Sequence, residues 1–217
     1  FGAEIRTHYP LELDAEVAVI DQEAELQATV PTYLLEVLAR FTRLLRESPS
    51  VDQRSGVSAR FAIAAAETIA AAAVHRAAIL GEAEPVARPV DLGTIIEVLR
   101  GKVEFESGEE GREIEVLEHM LRRATADTVR AHLGGINLAA LVTAVETGEP
   151  IVTGDRITAK ALLDELPDVE VIGDIHERLN ATSDGEKAAA VELALEGLYL
   201  ARRISKDPDD DGQTVYS

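Results

Sequence analysis

Apolar residues recur at three- and four-residue spacing over most of the chain, and alternation is confined to its first residues. Leu34, Leu35, Leu38, Phe41, Leu44 and Leu45 form one stripe and predict an amphipathic helix. It opens with Pro31 as its first residue, where a missing N–H costs nothing. It closes at Ser48-Pro49, because a residue before proline avoids helical angles. Ahead of it, Val17, Ile20 and Leu26 predict a helix over 14–26. The alanine-rich run 61–80 predicts a long helix, with Ser58 as its N-cap and Gly81 as the residue that stops it. A loop over 49–57, with a turn at Ser55-Gly56, leads into it. Residues 4–9, E-I-R-T-H-Y, alternate and stop at Pro10, the pattern of a short strand. A lone strand is not stable, so this one implies a sheet supplied by sequence that precedes Phe1.

The second half continues in helices. Pro85 and Pro89 mark 82–91 as a linker. Helices are predicted over 92–99, 113–133, 138–147, 158–166, 174–180 and 185–205. Gly134-Gly135 and Gly148 end the second and third, and 167–173 separates the fourth from the fifth. Ile114, Leu117, Leu121, Ala124 and Val129 lie on or near one face of the 113–133 helix. Residues 102–111 are acidic and glycine-punctuated, a hairpin or an exposed loop. Residues 207–217 read as a polar, frayed tail. The expected fold class is mainly α.

Composition narrows the function. Aromatics are only 4% of the chain against 46% hydrophobic residues, so the core is aliphatic and small, which suits packed helices. There is no cysteine, which excludes disulfides, thiolate metal sites and a cysteine nucleophile, and fits a cytoplasmic protein. The net charge of −19 opposes nucleic-acid backbones and anionic membranes. The basic pairs Arg122-Arg123 and Arg202-Arg203 read as solvated helix ends. The run 61–80 is long enough for a bilayer core of roughly 30 Å. It carries Glu67, His75 and Arg76, however, and reads as a packed helix, with no membrane insertion expected.

Chemistry concentrates at residues 50–60, S-V-D-Q-R-S-G-V-S-A-R. Arg60 falls in the first turn of the long helix, where the helix dipole favours an anion and a guanidinium fork suits phosphate oxygens. Arg54 lies six residues earlier in the loop. The competing role for Arg60 is an ion pair with one of many acidic side chains. The five histidines have no metal-ligand spacing, and no metal site is expected. Carboxylates are plentiful in loops, polar faces and the tail, the places of solvated surface rather than of acid–base catalysis. The D-P-D-D-D-G of 207–212 lacks the closing glutamate of a calcium loop. No G-x-x-x-x-G-K-[ST] phosphate loop and no G-x-S-x-G elbow occurs.

The run 51–82, V-D-Q-R-S-G-V-S-A-R followed by an alanine-rich helix ending H-R-A-A-I-L-G-E, resembles the lid of AAA+ ATPases of the magnesium chelatase and MoxR type. The family's G-x-S-x-R turn matches Gly56, Ser58 and Arg60, and its arginine, sensor 2, reaches the γ-phosphate. On this resemblance, residues 1–13 are the last strand of a missing α/β core and its crossover. Residues 14–81 are then the helical lid, 82–91 a linker, and 92–217 a helical C-terminal domain. The resemblance implies a catalytic role for Arg60 and nucleotide contacts from Arg60, Arg54, Ser58, Gly56 and Tyr9. It further implies ATP and Mg²⁺ in the intact protein, a homo-oligomeric ring, and a possible partner with a von Willebrand A domain. The work would be remodelling of, or metal insertion into, a partner. The phosphate loop, the acidic Mg²⁺ motif and the core's arginine finger would precede Phe1, so this chain alone should not hydrolyse ATP. The alternatives are a non-enzymatic helical adaptor or scaffold, and a helical transcription regulator, which the acidic charge opposes.

Overall fold

The computed structural model describes Ala3 and residues 8–217, and the protein is mainly helical. Most of the strand expected over 4–9 lies outside the described residues. The helices of the first half are α1 (Leu13–Glu23), α2 (Thr32–Glu47) and α3 (Ala59–Leu80). The stripe on α2 is buried as its spacing demands, from Leu34 through Leu45. Pro31 sits one place earlier than expected, as the N-cap of α2, at φ −56° and ψ 138°. Gly81 stops α3 in the left-handed conformation, φ 73°.

The helix expected over 14–26 ends at Glu23, because residues beyond it are drawn elsewhere. Thr29 donates its N–H to the Pro85 carbonyl (2.9 Å) and accepts from Ala87 (2.8 Å), a short parallel bridge. Residues 82–91, expected as a linker, therefore lie against the first half of the chain. They continue into a 3-10 turn, Pro89–Gly93, in which Asp91 and Leu92 are buried. Arg88, just before it, is fully buried.

The second half contains α4 (Thr94–Arg100), α5 (Glu113–Leu133), α6 (Ala139–Thr147), α7 (Ala159–Asp164), α8 (Glu170–Arg178) and α9 (Asp184–Leu200). Helix α8 begins inside the stretch expected to separate it from α7. Helix α9 stops five residues short of the expected 205, where Arg202 adopts φ 58° and the Arg203 N–H turns back to the Leu198 carbonyl. The tail, expected as frayed, folds into strands. Strands β2 (Lys206–Pro208) and β3 (Thr214–Tyr216) form a hairpin, and β3 also pairs antiparallel with β1 (Ile151–Thr153), giving the order β1-β3-β2. Asp209 builds the hairpin turn, its carboxylate accepting from the N–H groups of Asp211 (2.9 Å) and Gln213 (2.7 Å).

One hydrophobic cluster runs from Ile20 in α1 to Tyr216 in β3. Helix α2 packs most extensively on α5, so the two halves share this core. Residues 102–111 are the exposed loop of the two expected forms rather than a hairpin of their own, and the loop is tied to the segment before α3. Phe105 bridges Val51, the Asp52 N–H donates to the Glu104 carbonyl (2.9 Å), and the Glu106 N–H donates to Ser50 (3.0 Å). This acidic segment buttresses the loop that leads into α3.

Candidate functional site at the start of α3

The turn before α3 is set by Gly56, at φ +69°, a conformation that favours glycine. A Cβ there would also meet the Tyr9 hydroxyl at 2.7 Å and displace that exposed ring from its place. Tyr9 in turn lies under the Arg46 guanidinium, 4.0 Å from the ring centre. Arg46 donates through Nε to the Val57 carbonyl (2.7 Å) and pairs with the buried Glu16 carboxylate (2.7 Å). The structure thus brings Tyr9 and Gly56 together in the joint among α1, α2 and the turn.

Arg60, in the first turn of α3, is exposed and has no hydrogen bond or ion pair among the described residues. Ser58 is the N-cap residue, but its hydroxyl makes no capping bond. Arg54 has a different setting. Asp52 holds it through Nε (3.2 Å) and a terminal nitrogen (3.0 Å), and also takes its N–H (2.8 Å). The Arg54 side chain and N–H keep the Asp52 carboxyl below the usual carboxylate range. Arg54 lines a groove of about 780 Å³ with Arg100 and five carboxylates, Asp52, Glu97, Glu106, Glu110 and Glu113; Arg60 lies outside it. The two arginines are not brought to one place.

At the other end of α3 lies a network that the sequence reading missed. Arg76, 3% exposed, pairs with Asp91 (3.0 Å) and Glu82 (3.2 Å), and donates to the Val86 carbonyl (2.7 Å). Asp91 also accepts the Arg88 N–H (2.7 Å). The Arg88 side chain bonds the Ile157 carbonyl (2.7 Å) and the Glu192 carboxylate of α9. Burial opposes the charge on Arg88, but Glu192, with Asp91 and Glu82 adding to it, raises the guanidinium's pKa. A sequence signal existed. Arg76 continues the buried row Ala62, Ala66, Ile69, Ala73, and Glu192 interrupts an apolar run. A charge inside an apolar stripe requires a partner.

Among the described residues no cluster of three metal-ligating side chains occurs. Helix α3 has the length and mean hydropathy, 1.4, of a membrane span, but one face packs on the core and Arg76 is fixed there. Comparison of the chain with protein-family models, with curated proteins and with solved structures finds no match.

Proposed function

We propose that this chain is the lid and helical extension of an AAA+ ATPase resembling magnesium chelatase and MoxR. Arg60 is its contact to the terminal phosphate of ATP. The observation that carries the reading is the setting of Arg60. In a chain with 40 acidic and 21 basic residues it stands in a helix's first turn with no carboxylate bound among the described residues. That is how a guanidinium reserved for an anion would be held, with the helix dipole adding to its field.

The residues present fit one phosphate contact and no more. ATP with Mg²⁺ supplies the chemistry, gripped by the core that the resemblance implies. Arg60 binds the γ-phosphate and draws α3 toward it, and release of that contact lets the lid reopen. The Tyr9–Arg46–Glu16 joint holds the turn at its correct angle to α2. Ring assembly, a von Willebrand A partner and a remodelled or metallated client belong to the same proposal.

The test is the reading frame upstream of Phe1 together with ATPase rates of the longer protein. A phosphate loop upstream is expected, and Arg60→Ala should lower hydrolysis about ten- to hundred-fold. This is the loss of one charge-assisted hydrogen bond of about 1.5–3 kcal/mol. A frame with no phosphate loop, or an unchanged rate in Arg60→Ala, would sink it. The single core shared by both halves favours a helical adaptor as the second reading, and the same upstream sequence decides between them.

A further inference from the structure

Helix α3 buries one face and leaves another without a partner. Over its most apolar eighteen residues the mean hydropathy is 1.4, yet only 39% of them are buried. The uncovered positions fall in a row along the helix. Glu67, Ala71, His75 and Ala78 are exposed and Ala64 is half-buried. Ile79, at the end of this face, is 65% exposed. The elements that pack on α3, namely α1, α2, α4 and the 3-10 turn, leave the row open.

The order of residues in the row points to what covers it. Its spacing of three, four, four and three reads the same in both directions from Ala71. A second α3 laid antiparallel about a two-fold axis at Ala71 therefore matches the row to itself. Ala64 then faces Ala78 and Glu67 faces His75, each pair occurring twice. On the flanks Ile63 faces Ile79, and Thr68 faces Val74. The Glu67 carboxylate takes only the Glu25 N–H, at 3.3 Å, and His75 has no hydrogen bond or ion pair among the described residues. An imidazole N–H donates to a carboxylate, so the two polar positions are complementary across the axis. A parallel pair would instead set carboxylate against carboxylate. Alanine at the crossing lets the helix axes approach to about 8 Å.

We propose that this chain self-associates through α3 as an antiparallel two-fold dimer, a second copy covering the open face of the first. The contact is isologous and needs nothing beyond this chain, unlike a ring closed through a core. It begins at Ile63, one turn after Arg60, so it stands or falls apart from the ATPase reading. The face is about 24 Å long and one helix wide, about 10 Å. That is small against the roughly 800 Å² per partner of a stable complex. The dimer is accordingly weak, with a dissociation constant of about 100 µM.

The test is sedimentation equilibrium of the whole chain from about 5 µM to about 1 mM. Salt of about 0.3 M screens the repulsion between copies of net charge −19. A reversible monomer–dimer equilibrium is expected. Ala71→Arg sets two guanidinium groups against each other at the axis and should leave only monomer. Its circular dichroism should stay that of the parent, because Ala71 is exposed and arginine suits a helix. Exchange of charge reads the register. His75→Glu opposes Glu67 with a second carboxylate, and Glu67→Lys takes the carboxylate from His75; each should weaken self-association at least tenfold. Mixed together, the two variants match an ammonium to a carboxylate and should form a heterodimer at least as tight as the parent dimer. An undiminished dimer in Ala71→Arg, or no gain on mixing, would overturn the proposal. So would monomer alone up to about 1 mM, which would give the face to a different partner.

Discussion

Helix α3 carries an arginine near each end, and the two are treated in opposite ways. Arg60 is exposed and has no partner among the described residues, whereas Arg76, about 24 Å further along the axis, is buried with every terminal nitrogen engaged. The side chain and the helix are the same; the surroundings differ. The 82–93 segment wraps the end of α3 and supplies two carboxylates and a backbone carbonyl to Arg76. The turn at Gly56 supplies Arg60 with nothing comparable. A guanidinium removed from water must bring its acceptors with it, so Arg76 is architecture. One left in water within an acidic chain, with no acceptor taken, is available for work.

The sharpest way to break this contrast is at Arg88, which joins the Arg76–Asp91 pair to α9. Arg88→Met should cost about 3–5 kcal/mol, because Glu192 is left buried and uncompensated. Urea unfolding measures it, and a loss under about 1 kcal/mol would mean that the network is not structural. Pairing it with Glu192→Leu should recover most of the loss, since a buried ion pair often does no better than an apolar replacement. Arg76→Met should fall at the lower end, about 3 kcal/mol, because Asp91 keeps the Arg88 N–H.

These buried charges also mark the limit of what the sequence discloses. Helices α2, α3 and α5 could be placed from spacing because each buries a stripe along its own length. Gly81 could be placed because its role is local. Residues 82–91 read as a linker for their prolines and charges, yet Arg88 and Asp91 are buried because each meets a partner on another element. The tail is legible only in three dimensions too. Strands β2 and β3 are three residues each, too short to show a pattern, and β3 is fixed by β1, some sixty positions away. Of the candidate site, the Gly56 turn and the first-turn place of Arg60 were readable. The bidentate capture of Arg54 by Asp52, and the buttress from 104–106, were not.

Helix starts offer a second test of the same contrast, with a smaller effect. Helix α9 has a full capping box: the Ser183 hydroxyl accepts the Glu186 N–H, and the Glu186 carboxylate takes the Ser183 N–H at 2.9 Å. Ser183→Ala should therefore cost about 1 kcal/mol, and Ser58→Ala, which removes no capping bond, only a few tenths. Equal losses would erase the distinction. The Ser183 N–H, opposed by partial burial and helped by Thr182, holds the Glu186 carboxyl down at about 2 from the ordinary 4.5. Because the folded value is the lower one, this contribution is complete above about pH 4.5 and fades as pH falls toward 2. Glu186→Gln should accordingly be less stable than the parent at neutral pH, and the gap should close across that window.

The smallest expected effect on stability falls at Arg60, and it is the most informative for function. Arg60→Ala removes an exposed side chain with no bond among the described residues, so the unfolding free energy of the chain should stay within about 0.5 kcal/mol of the parent. If the proposed function holds, the same substitution should cost the longer ATPase most of its rate. Stability and activity then part company at one end of α3, whereas at Arg76 the fold fails and any activity fails with it. A stability loss above about 1 kcal/mol in Arg60→Ala would place this arginine with Arg76, as a structural group whose partners lie outside the described residues, and the case for a phosphate contact would lose its one supporting observation.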